Sequence, residues 1–171
     1  GEPEEFEFTA PVAGRELGVQ GVPRFQLYKI KEYEVMFVDN KDYPCAVRGG
    51  WKTTLVFIDY RSRSKCKVDL TSKKNNGTAF RSIVAMCGVH KMKHHCRVFT
   101  DGCGSMHHVK AVATQVGIDH QFIPPHQQSL NEAEKVCDFA FESARALMEH
   151  SDAPDHMFGL AVSYVLYVDC L

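Results

Sequence analysis

Three runs of β-branched and aromatic residues, at 33–38, 53–58 and 96–100, are each followed at once by an aspartate: Asp39, Asp59 and Asp101. Runs this short and this apolar predict buried strands, and the polar residue that ends each one marks the sheet edge. Residues 64–70 alternate polar and apolar, as a half-exposed strand does. Turn signals at Asp42-Tyr-Pro44 and Gly49-Gly50 separate the first two strands, so the chain opens as an antiparallel three-stranded meander. Asn75-Asn-Gly-Thr78 then offers a helix start, with Phe80, Ile83, Val84 and Cys87 at helical spacing and Gly88 as a stop. After the 96–100 strand, Ser105 can cap a helix whose Val109, Val112 and Val116 share a face, and Gly117 ends it. Residues 120–123 read as a fifth strand, closed by Pro124-Pro125. A long helix is expected over about 130–149 with Val136, Ala140, Ala144 and Leu147 inward, and a last one over about 155–169, beginning at Pro154. This order predicts one mixed α/β domain over residues 33–171, preceded by an arm or linker over residues 1–32. No repeat, low-complexity linker or second domain interrupts it.

The 171 residues suffice for one buried core. No stretch approaches the roughly 20 apolar residues of a membrane-spanning helix, so no membrane partner is expected. The seven cysteines, odd in number and irregularly spaced, argue for reduced thiols in an intracellular protein rather than a disulfide framework. The net charge of −1 conceals an asymmetry: residues 48–97 hold twelve Lys and Arg against only Asp59 and Asp69, while the segments on either side are acidic. A basic block of this kind is the footprint of a polyanionic partner, or else a solvated basic face.

Asp39, Asp101 and Glu134 are the acids placed for shared chemistry. The first two follow strands directly, and Glu134 lies near the start of the long helix, where it can face the sheet edge. Phosphodiester transfer develops charge on the attacking and leaving oxygens, and two divalent ions roughly 4 Å apart can stabilise both. Such hard cations need several carboxylate oxygens aimed at one point. Read singly, each of these acids is ordinary turn or helix-start chemistry. Glu132 rivals Glu134, but the two are offset by about 200° around a helix, so both cannot face one site. Asp42 rivals Asp39 and reads better as a turn residue before Tyr43-Pro44, and Asp59 likewise ends a strand. Cys87, His90, His94, His95 and Cys96 are a nominal zinc set, better explained by a buried thiol and an extended basic surface. The run Arg61, Arg63, Lys65 and Lys67 suits phosphate contacts or a charge-protected edge strand.

The residues around these acids resemble the catalytic core of copia-type long-terminal-repeat retrotransposon integrases and, more distantly, retroviral integrases. The matching segments are Val38-Asp39, Pro44, Gly49-Gly50 and Phe57-Ile-Asp-Tyr-Arg-Ser-Arg63. They continue with Thr100-Asp-Gly-Cys-Gly104, Gly117-Ile-Asp-His-Gln121 and Pro124-Pro-His-Gln-Gln-Ser-Leu-Asn-Glu-Ala-Glu134. Downstream, Glu142-Ser-Ala-Arg-Ala-Leu-Met148, Ala153-Pro154 and Ala161-Val-Ser-Tyr164 also match, so the resemblance covers about residues 33–171. Thirty-two residues lie between Asp101 and Glu134, close to the family spacing. The departures are Asn131 where the family has Gly, Lys135 where it often has Arg, and Gly102 where it has Asn. The upstream His-His-Cys-Cys module and the basic C-terminal extension are not found, so the chain reads as a core excised from a polyprotein.

The resemblance implies a ribonuclease-H-like α/β fold, with a five-stranded mixed sheet flanked by helices. It implies a polynucleotidyl transferase that processes element DNA ends and joins them to target DNA. Asp39, Asp101 and Glu134 would be catalytic residues and ligands to two Mg²⁺ (or Mn²⁺) ions. Arg61, Arg63, Lys65, Lys67 and Lys135 would contact DNA. A homodimer or higher oligomer and a nuclear location, after a cytoplasmic virus-like particle, would follow. A nuclease of the same fold without strand transfer, and a degenerate DNA-binding or assembly module, are the alternatives.

Overall fold

The computed structural model describes residues 30–171; the expected arm therefore lies outside the described residues except at its last three positions. Five strands are present: β1 (Val35–Asp42), β2 (Thr53–Asp59), β3 (Lys65–Leu70), β4 (Arg97–Thr100) and β5 (Asp119–Phe122). Four α-helices accompany them: α1 (Asn76–Cys87), α2 (His107–Val116), α3 (Glu132–Ser151) and α4 (Phe158–Asp169). The sheet order is β3-β2-β1-β4-β5. The pairs β1–β2 and β2–β3 are antiparallel, whereas β1–β4 and β4–β5 are parallel, so the expected meander and mixed sheet are both present.

Strand alternation explains the layering. Val35 and Phe37 of β1, Val56 and Ile58 of β2 and Phe99 of β4 pack under α3 and α4. Met36 and Val38, Leu55 and Phe57, and Val98 pack under α1 and α2 on the opposite face. All seven residues of β2 are buried. A centre covered on both faces needs continuous apolar runs, which is what these strands carry. Phe37 is fully buried and stacks on Phe99 with ring centroids 5.4 Å apart.

The helices differ from expectation at their ends. Asn131 starts α3, its Oδ1 accepting the Ala133 N–H at 3.0 Å, a strong N-cap arrangement. The residue turned inward near the end of α3 is Met148 rather than Leu147, which is 36% exposed. A short 3-10 turn at Gly104–Met106 precedes α2, so Ser105 does not cap it. The two helices on one face approach closely at Gly77: a Cβ there would lie 2.9 Å from the His108 carbonyl oxygen.

The aromatic stack at the sheet centre sets the first expectation. Phe37→Ala should lower the unfolding free energy by about 3–5 kcal/mol, as large-to-small core changes do, read from the urea midpoint. A loss below about 1 kcal/mol would show that the β1–β4 core tolerates the cavity.

Candidate active site

β1 does not stop at Asp39. It runs on to Asp42, pairing Asp39 with Val56 and Asp42 with Thr53 of β2. Asp39 is thus held rigidly within a strand, past the point where β4 ends. The parallel register pairs Val35 with Arg97, Met36 with Val98 and Phe37 with Phe99. Continued two residues further, it sets Asp101 level with Asp39. Both share the parity of Phe37 and Phe99, which face α3. In α3, Ala133, Val136, Cys137 and Ala140 are buried toward that face, and Glu134 stands beside them, partly buried. The structure therefore sets Asp101 and Glu134 within electrostatic reach of Asp39.

The Asp39 carboxyl is pushed up to about 8, chiefly by burial and then by the Asp101 charge. A backbone hydrogen bond from Asn40, 2.9 Å to Oδ1, opposes this, while Glu134 and a side-chain hydrogen bond with Asp101 add to it. Asp101 and Glu134 thus both act on the Asp39 carboxyl. The thiol of Cys137, one turn along α3 from Glu134, is raised well above its usual value by burial and by Asp39. Asp101 is further fixed by its own turn, where Oδ1 accepts the Cys103 N–H at 3.1 Å. Among the described residues no group of three or more His, Cys, Asp or Glu side chains is gathered closely enough to hold a metal ion as it stands. The donor set is nevertheless suited to one: carboxylate oxygens are the ligands hard divalent cations select, and a cation would offset the repulsion that raises Asp39.

The rival acids are occupied elsewhere. Glu132 accepts Arg63 at 3.3 Å and Lys135 at 3.0 Å. Asp42 pairs with Lys73 at 3.1 Å on the surface. Asp59 is fully buried at the far end of β2, where it accepts the Tyr33 N–H, the Ser62 N–H and the Ser62 hydroxyl. The histidine–cysteine set is dispersed: His94 meets the Glu32 carbonyl, His95 pairs with Asp119, and His90 reaches the Val84 carbonyl. Cys87 instead meets Cys66.

Of the five residues expected at DNA, Arg61, Arg63 and Lys135 are exposed, the latter two flanking Glu132 at the α3 start. Lys65 and Lys67 have side chains only 7% exposed and are engaged within the fold, on Asp169 at 2.6 Å and on Asp69 at 2.7 Å.

Two supports were not foreseen. Asn40 and the fully buried Asn76 exchange reciprocal amide hydrogen bonds of 2.9 and 2.6 Å. Asn76 also donates to the Ser105 carbonyl at 3.4 Å, tying the residue beside Asp39 to the segment that follows Asp101. On the other side, His120 Nε2 meets Thr100 Oγ1 at 2.8 Å, and burial holds its imidazole down at about 4, hence neutral. The only signal for Asn76 was its place in a helix-start motif, which says nothing of a partner on β1.

No family model matches this sequence, and no curated protein matches it. Among solved structures, the fold is similar to the HTLV-2 integrase catalytic core domain in complex with magnesium. The dimeric form gives a TM-score of 0.59 at 14% identity, covering 81% of this chain and 87% of that one. The trimeric form gives 0.57 at 14% identity, covering 80% and 84%. It is also similar to the simian T-cell lymphotropic virus intasome in complex with PP2A regulatory subunit B56 gamma, with TM-score 0.64 and 12% identity, covering 95% of this chain but 53% of that one. The chain therefore has the ribonuclease-H-like fold found in integrase cores.

The proton held by Asp39 gives a pH signature. The folded state keeps it up to about 8, while the unfolded state releases it near 3.8, so stability falls as pH rises toward 8. His120 works in the opposite sense, but only below its usual 6.5. Between pH 6.5 and 8 in EDTA the melting temperature of the wild type should therefore fall relative to that of Asp39→Asn. Parallel pH profiles for the two proteins would contradict a proton held on Asp39.

Proposed function

We propose that this chain is the catalytic core of a copia-type retrotransposon integrase, a divalent-metal-dependent polynucleotidyl transferase acting on DNA. The observation that carries the reading is the convergence of Asp39 and Asp101, with Glu134 beside them, around a charge that the fold leaves uncompensated. The fold shared with integrase cores supports it. Asp39, Asp101 and Glu134 would hold two Mg²⁺ or Mn²⁺ ions. When bound, such a pair stabilises the charge on the attacking and leaving oxygens of a phosphodiester.

The chain's own residues do the remaining work. Asp39, whose carboxyl burial keeps protonated, would have to lose that proton to serve as a cation ligand. Strand β1 and the β4–α2 turn fix the backbone of the two aspartates, and the three carboxylates would draw closer together to hold a cation. Glu134 approaches from the first turn of α3. Arg61, Arg63 and Lys135, all exposed, would meet phosphates, the last two in exchange for their surface pairs with Glu132, while Lys65 and Lys67 are engaged within the fold. Water as nucleophile would trim an element end; a DNA 3′-hydroxyl would join that end to the target, in the nucleus. Pairing with a second copy is supported by the exposed apolar side chains of α4, Leu160, Tyr164 and Tyr167.

Oligonucleotides carrying element ends, incubated with Mg²⁺ or Mn²⁺, provide the test. Asp101→Asn and Glu134→Gln should each reduce phosphodiester cleavage by about a hundredfold or more, as removing a metal ligand does, with melting temperatures held near that of the wild type. Cleavage without joining would identify a nuclease of the same fold. Full activity in Glu134→Gln would sink the site assignment.

A further inference from the structure

A second site lies beyond the carboxylates. Where the β1–β2 hairpin meets the connection from β3 to α1, an open pocket of about 670 Å³ is lined by Asp42, Tyr43, Trp51, Lys52, Ser72 and Lys73 among others. This volume falls in the range of small-ligand sites. Trp51, the one tryptophan of the sequence, is 38% exposed. Its ring lies against Gly49, where a Cβ would come within 2.5 Å of the indole Nε1. Gly49 also has φ +93°, so both conformation and space require glycine at that position.

The hairpin that carries the ring is anchored. The Lys52 N–H donates to the Leu70 carbonyl and its carbonyl accepts the Tyr43 N–H, while Tyr43 stacks on Phe141. An indole surface is thus presented from a fixed backbone, beside the exposed ammonium of Lys52. The Lys73–Asp42 pair at 3.1 Å is open to solvent on both partners, so an incoming phosphate can compete for Lys73. Asp42 itself lies three residues along β1 from Asp39, about 10 Å at strand rise.

We propose that this pocket binds an unpaired nucleotide of DNA, with its base against Trp51 and its phosphate at Lys52 and Lys73. A nucleotide offers both a π-face and an anion, matching the indole and the ammonium groups at once. An acidic peptide would use the cations alone and leave the indole face unused; Asp42 opposes either anion. The site rests on the reading of this chain as a DNA-handling protein, but not on its carboxylate chemistry. It suits a frayed or flanking nucleotide on the strand that passes Asp39.

Because the sequence has a single tryptophan, its emission reports directly on the pocket. A thymidine dodecamer titrated into the full chain in EDTA should quench that emission saturably, and a fully paired duplex should quench it less. Lys52→Ala combined with Lys73→Ala should weaken the quench about tenfold and flatten its salt dependence. Trp51→Ala, read by anisotropy of a labelled dodecamer, should weaken binding about tenfold as well. Asp101→Asn should leave the quench intact. Unchanged emission on adding the dodecamer, or equal quenching by a polyglutamate peptide, would overturn the proposal. If the wild type failed to cleave DNA yet still showed the quench, the enzymatic reading would fall and this site would stand.

Discussion

The parallel pairing of β1 with β4 is the constraint on which the site rests. Antiparallel hairpins can be closed by local turns, but a parallel pair must be bridged by a crossover, here through β2, β3 and α1. That crossover places the ends of β1 and β4 side by side and fixes a register in which Asp39 and Asp101 are level. Both faces must then be covered, by α1 and α2 on one side and α3 and α4 on the other. The arrangement that brings the acids together is the same one that buries Phe37, Phe99, Val38 and Val98.

Two aspartates so placed repel, and burial worsens the repulsion. The fold meets this with a proton held by Asp39 rather than with an internal cation. The basic groups nearby are taken by other acids: Lys41 by Asp138, and Arg63 and Lys135 by Glu132. Glu132 and Glu134 begin the same helix yet have different surroundings, because the offset between them turns one toward Arg63 in the β2–β3 turn and leaves the other near Asp39.

Geometry is held from both sides by polar groups withdrawn from solvent. The Asn40–Asn76 exchange satisfies two amides at once, and an unmatched buried amide there would be costly. The neutral His120 backs Thr100. These contacts join β1, α1, β4 and β5 around the acids without adding charge to them.

Much of this was legible along the chain. The apolar runs ending at Asp39, Asp59 and Asp101 determined which segments are strands, because short continuous apolar runs have few other ways to be buried. The helices followed from periodicity and glycine stops, and the spacing from Asp101 to Glu134 followed from resemblance. What the sequence could not distinguish was which acid ends serve the site. Asp39 and Asp59 have the same local setting, a buried strand and then an acid, yet strand direction sends Asp59 to the opposite end and face, where Tyr33 and Ser62 consume it. The basic run likewise reads as one surface, but pairing in β3 commits Lys65 and Lys67 to Asp169 and Asp69. Local composition fixes what a segment becomes; register, direction and the partner brought from a distant element decide where each side chain's charge is spent, and only the tertiary structure carries those.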